Sequence, residues 1–180
     1  ARYDFLGYTQ NDLLIDGNIG VSFYPFKDKS EPVTFRGSFH TSLKEPDWFS
    51  QHYYSNHFIW ENRFNNTWSA RGYGEIAIPY KYCSIKLGAG WQGLKNYIYF
   101  DKKAMPTQDT EHFIQIINAD LELNLSAWLL HWDTKVSFQY VNEPSVLPLP
   151  MLSAYSNFYF RHSFFKDDIF TVQVGVDCRY

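Results

Sequence analysis

Strict alternation of apolar and polar residues over long stretches is the feature that most constrains this chain. From Ile117 to Ala127 every second residue is apolar, and the residues between them are polar or charged. Successive side chains of a β-strand point to opposite faces, so a period of two indicates a strand whose faces meet different surroundings. The 3.6-residue period of an amphipathic helix is nearly absent. The chain is therefore predicted to be all-β.

The alternation predicts nine antiparallel segments that follow one another as hairpins. Their approximate bounds are Leu13–Tyr24, Val33–Leu43, Tyr53–Phe64, Trp68–Ile78, Tyr82–Phe100, Glu111–Ala127, Thr134–Val141, Ala154–Phe165 and Ile169–Tyr180. Stretches with proline, asparagine or aspartate separate them, as turns require. A change of parity near Gln92-Gly93 predicts a β-bulge. No shift in composition marks a boundary, so residues 1–180 are predicted to be one domain.

The length of the segments favours a membrane β-barrel over a soluble β-sandwich. They run over about 10 to 18 residues, whereas soluble strands cluster near 5 to 6, and a tilted strand that crosses a bilayer needs about 9 to 11. Aromatic residues make up 20% of the chain, and many stand at or near predicted strand ends, as in the aromatic girdles of membrane barrels. These residues are Tyr24, Trp48, Trp60, Trp68, Tyr80, Tyr82, Trp128, Trp132 and Tyr140. We therefore predict an antiparallel, up-and-down transmembrane β-barrel of about nine or ten strands, or a contiguous part of one.

A closed bacterial single-chain barrel normally has an even number of strands, so a count of nine needs an explanation. Either Ala1–Tyr8 contains a tenth strand, or the sheet is open and further residues close it. The connections after the first, fifth and seventh segments are long, which hints that they share the extracellular side.

Composition excludes several functions. A net charge of −3 with 19% charged residues argues against a nucleic-acid partner. No run of about 18 apolar residues occurs, so a helical membrane span is not expected.

The two cysteines, Cys83 and Cys178, do not make a disulfide framework. We find no metal-binding or nucleophile motif among the six histidines and the serines, and expect neither a cofactor nor catalysis.

The parity of the strands sorts the charged residues onto one face. This face mixes both signs, as suits a hydrated lumen. A second interpretation is that these charges serve only to pair with one another and to keep the interior hydrated. The pore-lining candidates are Arg36, Glu61, Arg63, Arg71, Glu75, Asp120, Glu122, Lys135, Arg161, Asp177 and Arg179. The opposite face is expected to meet lipid, through residues that include Phe58, Trp60, Leu121, Leu123, Leu125, Val172 and Val174.

Three stretches of the chain resemble a known family. Leu147–Tyr159, Gln173–Tyr180 and Leu43–Phe49 are similar to the Putative porin family of Bacteroidetes. The resemblance implies an outer-membrane barrel without known catalytic residues. Members of that family are longer than this chain, so the resemblance also implies that the chain is a segment of a larger barrel. In the other direction, Tyr180 with Gly175 upstream resembles the closing strand of a complete barrel.

The leading expectation is a porin-like channel in a bacterial outer membrane that passes small solutes by passive diffusion. Its expected partners are the lipids of that membrane and the solutes in its lumen. Whether it forms a homo-oligomer is not decided by the sequence. A second hypothesis is a soluble or surface-attached β-sandwich that binds glycans. A third is a barrel that anchors a partner without conducting.

Overall fold

The computed structural model describes residues 1–25, 31–164 and 169–180. The predicted all-β class is confirmed, since about 70% of these described residues lie in strands. The elements are β1 (Arg2–Tyr3), β2 (Leu13–Phe23), β3 (Val33–Lys44), α1 (Trp48–Gln51), β4 (His52–Tyr54), β5 (Ile59–Glu61), β6 (Thr67–Tyr80), β7 (Cys83–Phe100), β8 (Pro106–Ala127), β9 (Leu130–Val141), β10 (Leu152–Phe164) and β11 (Phe170–Arg179). The predicted turn at Lys166-Asp167-Asp168 and most of the predicted connection at 25–32 lie outside the described residues.

One antiparallel sheet of nine strands contains almost all of this structure. Its strands are ordered β1-β2-β3-β6-β7-β8-β9-β10-β11, so each long strand pairs with the next long strand along the chain. This is the up-and-down order predicted from the sequence. The sheet is not closed, because β1 and β11 stand at its two edges and do not pair with each other. The architecture is that of part of a barrel.

The predicted third strand is wrong. Residues 45–66 leave the sheet, and β3 pairs directly with β6 through Leu43 and Trp68. The excursion contains the short helix α1 and a separate hairpin of β4 and β5. A tight turn explains the hairpin, because the Ser55 hydroxyl accepts a hydrogen bond from the Phe58 amide at 3.1 Å. The alternation had predicted Phe58 and Trp60 on the apolar face of the main sheet. That prediction is wrong, because both residues lie in the excursion.

Smaller differences concern strand ends and the bulge. The register between β7 and β8 shifts between Lys95 and Tyr97, not at Gln92-Gly93. Asn96 there has φ = 57°, a left-handed conformation that asparagine tolerates better than most residues. β8 begins at Pro106, inside the segment predicted to be a loop, and β9 begins four residues before its predicted start. The suggested strand within Ala1–Tyr8 is present only as the two residues of β1.

The sheet is a single layer. Among the described residues, the buried apolar side chains are Val33, Ala70, Ile114, Ile116 and Val141. A β-sandwich would instead bury the apolar face of every strand against a second sheet. Val174 is 65% exposed, so the apolar face of β11 is uncovered. The β-sandwich alternative is therefore not the architecture of the described residues, and no helix among them has the length and apolar character to cross a membrane.

The antiparallel order sorts the connections between two ends of the sheet. Residues 45–66, 101–105 and 142–151 lie at one end, which we call the long-loop end. The two-residue connections at 81–82 and 128–129 lie at the other end, where β2 ends at Phe23 and β3 begins at Val33. The sequence had grouped the connection between β2 and β3 with the two long loops at 101–109 and 142–152. That grouping was wrong because the predicted third strand does not cross the sheet.

Candidate functional site

The polar face of the main sheet is the candidate site. Residues that pair across antiparallel strands lie on the same face, and so do residues two apart along one strand. Arg36 pairs with Glu75, Glu122 pairs with Lys135, and Asn157 pairs with Asp177. By these registers, nine of the sequence-derived candidates share one face: Arg36, Arg71, Glu75, Asp120, Glu122, Lys135, Arg161, Asp177 and Arg179.

Glu61 and Arg63 do not belong to this face. Glu61 ends β5 and pairs with His52 in the two-stranded sheet, where its carboxylate accepts a 3.3 Å hydrogen bond from the Tyr54 hydroxyl. Arg63 follows in the segment that leads to β6 and is exposed. Their prediction as neighbours of the other candidates depended on the third strand, which is replaced by the excursion at 45–66.

Glu122 lies between two lysines on neighbouring strands. Its carboxylate is 3.1 Å from Lys86 Nζ on β7 and 3.2 Å from Lys135 Nζ on β9. The Glu122 side chain is about one quarter exposed, and the two ammonium groups are more open to solvent. One carboxylate therefore forms ion pairs with two cations, one on each neighbouring strand. A second ion pair, between Arg36 Nη1 and Glu75 at 3.2 Å, links β3 to β6.

Asp120 is the hydrogen-bonding centre of the same region. Its carboxylate accepts bonds from the Ser137 hydroxyl at 2.6 Å, the Asn118 amide at 2.8 Å and the Tyr73 hydroxyl at 3.3 Å. Because hydrogen bonds to a charged acceptor are stronger than neutral ones, the three donors hold this carboxylate in place. Asp120 is thus a fixed negative charge on the polar face.

Tyr73 lies flat across the neighbouring strand to reach Asp120. It crosses Gly88 and Gly90 of β7, where glycine is required by the close approach of the ring. A Cβ atom on Gly88 would lie 2.1 Å from the Tyr73 hydroxyl, and one on Gly90 would lie 2.9 Å from the ring. The absence of side chains at Gly88 and Gly90 therefore leaves the space in which the Tyr73 ring packs on β7.

The cationic side chains nearer the edge strand β11 are more loosely held. Arg179 Nε lies 3.7 Å from the Asp177 carboxylate, and its guanidinium lies 5.6 Å from the centre of the Tyr155 ring. Both charged side chains are mostly exposed, so their ion pair contributes little to stability. Away from this edge, on β6, the Arg71 guanidinium likewise lies over an aromatic ring, 5.6 Å from the centre of the Tyr73 ring.

The candidate set missed some members of the polar face. Asp16 of β2 hydrogen-bonds to His40 of β3, and His131 of β9 stacks on Tyr159 of β10 with ring centres 4.8 Å apart. The same two-residue parity that identified the other candidates places these groups on the polar face as well. Within the residues that the structure describes, no group of three or more His, Cys, Asp and Glu side chains is arranged to hold a metal ion.

The opposite face is apolar and exposed. Aromatic side chains stand on it at two levels. Near the long-loop end, the Phe113 ring contacts those of Trp68 and Trp91, with ring centres 5.9 and 6.4 Å apart. Towards the other end, Trp132 pairs with Leu125 and Phe158. Between the two levels lie aliphatic side chains, among them Leu87, Leu121 and Val136, which are in register, and also the rings of Phe35 and Phe138.

A single-layer antiparallel sheet with one charged face and one exposed apolar face defines a class, namely part of the wall of a β-barrel. The comparison with known families agrees with this class. The chain belongs to the Putative porin family, whose model matches residues 1–180. This confirms the family resemblance carried by Leu147–Tyr159, Gln173–Tyr180 and Leu43–Phe49. None of the curated proteins that were compared with the chain matches it.

Proposed function

We propose that this chain forms part of the wall of a porin-like channel in a bacterial outer membrane, through which small solutes diffuse passively. The observation that carries the proposal is the chemical difference between the two faces of the main sheet. One face presents fixed charges of both signs, including Asp120, Glu122 and Lys135, and the other presents exposed rings and aliphatic groups. A sheet with this division suits a boundary between water and acyl chains.

The spacing of the two aromatic levels supports a membrane of ordinary thickness. Phe113 and Leu125, the partner of Trp132, are twelve residues apart on β8, which is about 41 Å along a strand at about 3.4 Å per residue. A tilt of about 35 to 45° reduces this to about 29 to 33 Å along the bilayer normal. The hydrocarbon core of a bilayer is about 30 Å thick.

Barrel closure requires strands that pair with the two edges. In lipid, each unpaired backbone amide and carbonyl is costly, so an open edge is not tolerated. β11 and most of β2 present such edges among the described residues. We therefore propose that further strands pair with these edges. Whether they come from the same polypeptide or from another copy decides the oligomeric state.

The proposed role is non-enzymatic, in keeping with membership of a family of porins. A barrel that anchors a partner without conducting is the competing function. Planar-bilayer recordings separate the two. The purified full-length protein, inserted from detergent, should give discrete conductance steps and should migrate differently on gels before and after heating. A heat-modifiable protein that never conducts would favour the anchor, and a protein that stays soluble without detergent would contradict the membrane assignment.

Removal of the Glu122 charge should change ion selectivity. Glu122→Gln leaves Lys86 and Lys135 without their shared counter-ion, so the polar face becomes locally more positive. We expect the anion-to-cation permeability ratio to rise by about twofold, while stability changes by less than about 1 kcal/mol because the pairs are partly exposed. Reversal potentials in a salt gradient measure the ratio.

Glu61→Gln is the matched control, since Glu61 has the same charge but lies outside the main sheet. It should leave the permeability ratio unchanged. Equal shifts for the two variants, or no shift for Glu122→Gln in a conducting protein, would argue against a lumen-facing Glu122.

A further inference from the structure

The polar face contains one apolar patch that a water-filled channel does not require. Leu94, Ile114, Ile116 and Val141 lie on this face, on the neighbouring strands β7, β8 and β9. Leu94 pairs with Ile114 and Ile116 pairs with Val141, and all four share their face with Asp120 and Glu122. Ile114 is completely buried, and Ile116 and Val141 are buried as well. Something therefore covers this part of the polar face.

The cover is the loop that joins β9 to β10. Val146, Leu147 and Leu149 of residues 142–151 pack on the buried cluster, together with Leu94 and Tyr97. Because the cluster points to the polar side of the sheet, the loop must lie on that side as well. It is not an external loop that extends away from the strand ends.

Hydrogen bonds fix the loop at both of its ends. The Asn142 side chain accepts a bond from the Gln115 amide at 2.7 Å and donates one to the Phe113 carbonyl at 2.9 Å. At the far end, the Gln139 amide donates to the Met151 carbonyl at 2.9 Å. Prolines at 144, 148 and 150 restrict the backbone between these anchors. The loop is therefore held in one place and does not need a ligand to order it.

We propose that residues 142–151 form a fixed constriction that narrows the channel near its long-loop end and sets the size limit for solutes. The inference rests on the proposed channel function. Its geometry follows from three features of the structure: an apolar patch on the polar face, apolar loop residues that cover it, and anchors that hold the loop to β8 and β9.

Shortening the loop tests the role in permeation. Replacement of residues 143–150 by a short glycine–serine linker keeps Asn142 and both strands but removes the side chains that cover the patch. In planar bilayers, single-channel conductance should rise by about twofold or more, and vesicles should become permeable to larger neutral sugars. Ser145→Ala is the control, because Ser145 is exposed on the same loop, and it should behave as the unmodified protein.

Thiol labelling tests the position of the loop without any conductance. In a Cys83→Ser, Cys178→Ser background, Ile114→Cys should react with a hydrophilic maleimide at least about tenfold more slowly than Lys135→Cys, an exposed position on the same face. Shortening the loop should remove this protection of position 114 and leave position 135 unchanged. Comparable labelling of both positions in the intact protein would overturn the proposed placement.

The conductance and labelling measurements test the constriction separately from the channel. A conducting protein whose conductance and sugar cut-off do not change on shortening would overturn the constriction while the channel stands. A folded protein that never conducts would overturn the channel and the constriction with it, and the labelling result would then still decide where the loop lies.

Discussion

Phe138→Arg should destabilise the protein folded in a bilayer by about 2 to 4 kcal/mol, whereas Gln139→Arg should change its stability by less than about 1 kcal/mol. The two residues are consecutive on β9, and each is replaced by arginine. Phe138 pairs with Ala119 on the apolar face, and Gln139 pairs with Asn118 on the polar face. The comparison therefore holds the strand, the approximate depth and the introduced arginine constant and changes the face that receives it.

The depth of these positions explains the size of the expected effect. Ala119 lies midway along β8 between Phe113 and Leu125, which mark the two aromatic levels, so Phe138 faces the middle of the proposed hydrocarbon layer. A guanidinium there has no water to hydrate it. The cost of a cation falls towards the interfaces, so Leu123→Arg, two residues from the Leu125 level, should cost less than Phe138→Arg.

Urea titrations of the full-length protein folded into lipid vesicles measure these free energies. Gel mobility before and after heating reports the folded fraction at each urea concentration. Equal costs at 138 and 139 would mean that the two faces do not meet different solvents. A larger cost at Gln139 would reverse the assignment of the faces.

Gly88→Ala should lower the free energy of unfolding by about 1 to 3 kcal/mol. The added methyl group would lie 2.1 Å from the Tyr73 hydroxyl, so the Tyr73 side chain must move off β7. When it moves, it loses the hydrogen bond to Asp120. The variant therefore loses two interactions together: the packing of the Tyr73 ring on β7 and the hydrogen bond from its hydroxyl to the Asp120 carboxylate.

Two variants isolate the clash from the general effect of replacing glycine. Gly74→Ala is the positional control, since a Cβ atom there meets nothing within 4 Å, and it should be neutral or slightly stabilising. In a Tyr73→Ala background, Gly88→Ala should cost almost nothing, because the ring that it displaces is absent. A coupling energy near zero in this double-mutant cycle, measured by the same titrations, would contradict the packing of Tyr73 on Gly88.

The faces of the strands could be predicted from the sequence because the two-residue period depends only on local backbone geometry. Asp120, Glu122 and Lys135 alternate with apolar residues, and they lie on one face whatever strand pairs with them. The family could also be recognised, because its characteristic stretches are read directly from the order of residues. The predicted third strand failed for a local reason as well: Ser55 and Phe58 close a tight turn that alternation alone does not reveal.

Only the tertiary structure decided which groups meet across strands and what covers them. That Glu122 lies between Lys86 and Lys135 depends on the register of three strands, and register is set by pairing between residues far apart in the chain. The same holds for the Tyr73 ring over Gly88. The alternation could not place residues 142–151 on the polar side either, since a loop has no two-residue period, and its position depends on the apolar patch around Ile114 that it buries.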